Sequence, residues 1–125
     1  MNFPLLIAGV LAAAIGIGHS CLGETWILIP LFRGDGVPRT PIGGVQDTRR
    51  MIRFTWHFFS VVAWNTAGLF LALSAGIIGG GWTVARVIAT YWGVFAVAVL
   101  LLSRGRHGAW VLGSLVAIVG WWGTV

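Results

Sequence analysis

Lysine is absent from the 125-residue chain, acidic residues number three, cysteine one, and charged residues make up only 9% of the whole. This scarcity of charge excludes an ordinary soluble domain, in which roughly a quarter of residues are charged. The lone Cys21 cannot close an internal disulfide, so cysteine usage specifies no redox compartment. The first twenty residues lack both the positively charged start and the small-residue cleavage site of a signal peptide, and read as a retained span. Phosphate-binding glycine loops, the GxSxG elbow and paired catalytic carboxylates are missing, so no enzymatic activity is indicated. No repeat relates the two halves.

What the chain has in abundance is apolar surface: 58% hydrophobic residues and a mean hydropathy of +0.91. A membrane helix needs about twenty apolar residues, and four runs qualify or nearly so: 3–21, 52–78, 82–103 and 109–124. The last is short, spanning only roughly 24 Å. Strand-type alternation is missing, and backbone polar groups in hydrocarbon must be satisfied internally, so the runs are expected to be helices. Asp47 and Thr48 are plausible N-caps for the second, and Gly79-Gly80-Gly81 a breaker after it. Short connections make the second and third, and the third and fourth, antiparallel neighbours. The expected fold is an all-α, up-down four-helix transmembrane bundle forming one domain over 1–125. Residues 24–48 form a loop, with ETWILIPLF either continuing the first helix or lying along the membrane interface.

Arginine placement orients this bundle. Arg33, Arg39, Arg49, Arg50, Arg53, Arg104 and Arg106 fall on one face and only Arg86 on the other. By the positive-inside rule the first face is cytoplasmic and both termini lie outside, in a bacterial-type inner membrane. A pI of about 11.5 then reflects topology and attraction to anionic lipid headgroups at the Arg-rich face, not nucleic acid. Trp56 and Trp110 sit near that interface, while Trp64 and Trp92 are deeper and expected to pack between helices. Asn65, at mid-membrane depth, is placed to bond across helices.

All three histidines and all three acids segregate to the same side. His19 closes the first span with Ser20, Cys21 and Glu24 just beyond; His57 lies one turn into the second; His107 occupies the third connection. Gly16, His19 and Gly23 share one helix face, and Arg50, Arg53 and His57 another that continues to Val61, Trp64 and Gly68. Three chemistries compete for these residues. His19, Glu24, His57 and His107 offer imidazole and carboxylate ligands to a transition metal, with haem held by His19 and His57 as a variant, although no recognised metal motif is present. The same groups suit a proton-coupled transport site, as ionisable residues within membranes often do, in an assembly of more than one copy. They also suit a structural role, with Glu24 paired to Arg53 or Arg106, in a bundle that is a homo-oligomer or a subunit of a larger membrane complex.

The segments His19-Ser20-Cys21-Leu22-Gly23-Glu24, Trp56-His57 and Gly105-Arg106-His107-Gly108-Ala109-Trp110 resemble a group of small bacterial four-helix membrane proteins with an H-S-x-L-G-E, W-H, G-R-H-x-x-W pattern. The resemblance implies that His19, Glu24, His57, His107 and Trp110 are characteristic positions. It supplies neither a cofactor nor a reaction.

Overall fold

The structure is a computed structural model that describes residues 1–41, 43–79 and 81–125. It is helical: α1 (Phe3–Gly23), a π-helical turn (Glu24–Leu28), α2 (Ile29–Arg33), α3 (Gly44–Ser74), α4 (Gly81–Ser103) and α5 (Ala109–Trp122). Three helices are long and apolar enough to cross a membrane: Phe3–Arg33, Gly44–Ser74 and Trp82–Ser103. Ala109–Trp122 is shorter, about 21 Å against a hydrocarbon core of about 30 Å. The chain divides into two compact units, residues 1–14 with 64–125 and residues 15–63.

Two boundaries, both of α3, differ from those expected, and the first helix takes one of the two courses open to it, continuing past residue 21 to Arg33. Pro30 cannot donate a backbone hydrogen bond, and it follows directly on the wide turn, in which the Ile29 amide reaches back five residues to the Glu24 carbonyl. The surplus residue moves the inward face. Gly23 is buried and a regular helix would next turn Trp26 or Ile27 inward, yet Trp26 is 72% exposed and Leu28 is fully buried. α3 begins at Gly44, so Asp47 and Thr48 lie inside it and are not caps: Asp47 pairs with Arg50 at 3.3 Å, and the Thr48 hydroxyl donates to the Gly44 carbonyl. It ends at Ser74 rather than Ile78, because Gly76 takes a φ of +72°. The Ile77 amide then donates to Ala72 and the Gly76 amide to Leu73, the paired bonds of a Schellman stop.

In the unit formed by 1–14 and 64–125, Leu5, Phe70, Trp92 and Val116 are the large buried side chains. Glycines set the spacing: a Cβ on Gly120 would press on Phe70 and Ala89, and one on Gly113 on Phe95 and Ala96. With Arg86 bonded to Thr124, these contacts run α4 and α5 antiparallel. Trp92 packs inward as expected and donates from Nε1 to Thr66 at 3.2 Å. Trp64 does not pack between helices. It is 44% exposed, because Ala63, Ala67 and Phe70 occupy the buried stripe of α3 and leave residue 64 on the outer side.

Asn2 joins three helix ends of this unit. Its side-chain oxygen accepts from the Leu5 amide, capping α1; its Nδ2 donates to the Gly123 carbonyl at 2.8 Å; and its own carbonyl accepts from the Ser74 hydroxyl at 2.7 Å. Orphan groups at helix termini are thus satisfied by one side chain and its backbone. At the α4 end the Gly105 amide donates to Leu100 and the Arg104 amide to Leu101. Here a non-glycine residue, Arg104, takes the left-handed conformation, with φ +52°.

Candidate functional site

Residues 15–63 hold a hydrogen-bonded row of side chains from two helical stretches. Ser20 and Glu24 lie one turn apart on the first; Arg53, His57 and Ser60 lie at spacings of four and three on α3. Facing each other, the two stripes interleave. Ser20 Oγ lies 3.0 Å from Ser60 Oγ and 2.9 Å from His57 Nδ1. His57 Nε2 lies 3.1 Å from Glu24 Oε2, and Arg53 donates to both Glu24 oxygens, at 2.8 Å to Oε1 and 3.2 Å to Oε2. Arg53 also sits over the Phe32 ring, 5.0 Å from its centroid. The row grades from a fully buried hydroxyl at Ser60 to a guanidinium that is 47% exposed at Arg53.

Donor counting gives this row two proton arrangements. A carboxylate only accepts, so His57 Nε2 carries a proton toward Glu24. When the Ser20 hydroxyl gives its one proton to Ser60, Ser20 accepts from His57 Nδ1, and the ring is protonated on both nitrogens. When Ser20 donates to Nδ1 instead, the ring is neutral and the Ser20 hydroxyl no longer donates to Ser60. The two arrangements use the same heavy atoms and differ by one proton. His57 also opens onto a furrow of about 400 Å³ along α3, lined by Arg50, Arg53, Phe54, Phe58 and Val61.

His19 is held differently. Its ring stacks on Trp56 at 4.7 Å and 4°, its Nε2 donates to the Trp56 carbonyl at 3.2 Å, and Trp56 Nε1 donates to the His19 carbonyl at 3.1 Å. Gly23 is obligatory to this clamp, since the Trp56 indole occupies the space a Cβ at residue 23 would need. Phe59 closes the other side, edge-on at 4.7 Å. The clamp satisfies the backbone carbonyls of Trp56 and His19.

Of the four residues expected to gather, the structure joins Glu24 and His57 directly and seats His19 in the same unit against Trp56. His107 belongs to the other unit, where its Nδ1 accepts the Ala109 amide and its own amide donates to Ser103 Oγ, so it closes the start of α5. Among the described residues no group of three His, Cys, Asp or Glu side chains is placed to hold a metal ion. Glu24 takes Arg53 as its partner, not Arg106, which is exposed. Trp110 Nε1 donates to the Gly105 carbonyl and braces the α4–α5 turn. Asn65 is on an exposed face of α3, and Cys21 is exposed.

The two serines were not among the expected site residues. Their signal was present: Ser20 precedes Glu24 by four and Ser60 follows His57 by three, each on its partner's helix face. No family model, no curated protein and no solved structure matches the chain.

Proposed function

We propose that this chain is an integral membrane protein, with its Arg-rich end cytoplasmic, and that His57 is the proton-exchanging group of a proton-coupled transport site. The observation that carries the reading is the unbroken row Ser60–Ser20–His57–Glu24–Arg53, in which an imidazole is bonded by a hydroxyl on one nitrogen and a carboxylate on the other. Imidazole is the side chain whose ordinary titration falls in the physiological range. Glu24 holds the ring while Arg53 balances the carboxylate charge, so the row is neutral with a neutral ring and carries one positive charge with a protonated one. Metal or haem ligation at His57 would break one of its two bonds and would find no third ligand group among the described residues.

The test is proton movement into vesicles loaded with a pH-sensitive dye and containing the purified full chain, under an imposed pH gradient. Flux above that of protein-free vesicles, lost in His57→Gln and reduced in Ser20→Ala, is the expected result. Flux equal to that of empty vesicles, or unchanged in His57→Gln, overturns it. Elemental analysis and an absorption spectrum of the same preparation complete the test: stoichiometric metal or a Soret band would replace the proton reading with ligation.

A further inference from the structure

Another concavity lies away from the His57 row, in the unit formed by 1–14 and 64–125. It is a furrow of about 870 Å³ along α4 and α5, walled by Gly93, Val94, Val97 and Leu101 on one helix and by Ile118 and Trp121 on the other. Its volume is in the range of ligand sites, about 300–1,000 Å³. From Ala89 to Leu101 it follows twelve residues of α4, about 18 Å. One leaflet of the hydrocarbon core is half of about 30 Å. The furrow therefore has the length of one acyl chain and is lined almost wholly by carbon.

What heads the furrow is a charge. Arg86, Thr90, Val94, Val97 and Leu101 form one stripe on α4 at spacings of three and four, with Arg86 first. Its guanidinium lies over the Trp121 ring, 5.8 Å from the centroid, and is steadied by Thr124, which accepts from Nε at 3.1 Å and, through its carbonyl, from Nη2 at 3.3 Å. Neither partner is charged. Glu24, Asp35 and Asp47 all belong to residues 15–63, so this unit has no acidic side chain, and the ion pairs among the described residues do not include Arg86. An arginine fixed by an indole and a threonine, with no carboxylate beside it, is a site for an anion.

We infer that the α4–α5 furrow seats an acyl chain of an anionic phospholipid whose phosphate is held at Arg86. Charge complementarity at the head and length along the shaft select this occupant over a second copy of the chain, whose corresponding face carries no acidic side chain to meet Arg86. The inference rests on the chain being a membrane protein and is independent of His57.

The test uses the full chain in phosphatidylcholine vesicles containing a minor fraction of lipid brominated along its acyl chains, either phosphatidylglycerol or phosphatidylcholine, with tryptophan fluorescence as the readout. Brominated phosphatidylglycerol is expected to quench more than brominated phosphatidylcholine at the same fraction. That excess disappears in Arg86→Gln, persists in Arg86→Lys and is lost in Trp121→Phe. Equal quenching by the two lipids, or an excess that survives Arg86→Gln, overturns the inference. So does an oligomer in detergent that Gly93→Leu dissociates, because a second copy then fills the furrow. Release of the protein from membranes by alkaline carbonate would instead overturn the membrane reading, a result distinct from retention without lipid preference.

Discussion

Residues 15–63 carry all three acidic side chains and five of the eight arginines; residues 1–14 and 64–125 carry three arginines and no acid. In the first unit polar side chains bond one another in a row, from Ser60 to Arg53. In the second they mostly bond backbone: Asn2 the α1 and α5 ends, Ser74 the Asn2 carbonyl, Trp110 the α4–α5 turn. Capping bonds saturate groups that exist in any helix and leave nothing to titrate. A row of side chains adds donors and acceptors beyond those the backbone demands, and it is there that two proton arrangements arise. The contrast between the two histidine environments in residues 15–63 repeats this at smaller scale, His19 bonded to a carbonyl and His57 to side chains on both nitrogens.

The largest effect expected from breaking this contrast is in packing. Phe70 is fully buried against Gly120, and Phe70→Ala should cost about 3–5 kcal/mol, read as a lower midpoint of thermal unfolding in detergent. Proton flux per folded molecule should be unchanged. Polar changes come next and separate the units. Ser20→Ala strips the fully buried Ser60 hydroxyl of its partner and should cost about 1–3 kcal/mol together with flux, whereas Asn2→Ala should cost about 0.5–2 kcal/mol for the lost cap and leave flux intact. Loss of flux in Asn2→Ala would dissolve the distinction. The smallest effect is a gain. Arg104 sits left-handed at φ +52°, so Arg104→Gly should stabilise by about 1 kcal/mol, seen as a raised unfolding midpoint.

Much of this was legible in the sequence, and the limits have physical causes. Helical character and three long apolar helices followed from run length alone, since hydropathy needs no knowledge of partners. The pairing of Glu24 with Arg53 was one of two options, decided by which residue α3 presents one turn from His57. Boundaries failed where backbone geometry overrode pattern. Gly76 took the positive φ that ends α3 at Ser74, ahead of the expected Ile78, whereas the five-residue turn decided between the two courses open to residues 24–32 and carried the first helix through Pro30. Trp64 was misplaced because depth along a helix says nothing of azimuth, and the stripe of Ala63, Ala67 and Phe70 fixes that. The serine hydroxyls escaped notice because serine is common and unremarkable until a histidine is placed opposite it.

The π-helical turn also bears on how this chain tolerates change in length. One residue more than an α-helical turn needs is stored between Glu24 and Leu28, and it rotates everything downstream by about 100°. Removing a single residue there would restore a regular helix upstream of Pro30 with Leu28 four residues after Gly23, still turned inward, and Phe32 still beneath Arg53. The segment before it would keep its register, and with it the Ser20 and His19 contacts. A one-residue deletion in this turn is thus a change of length that the segments on both sides absorb without losing their register.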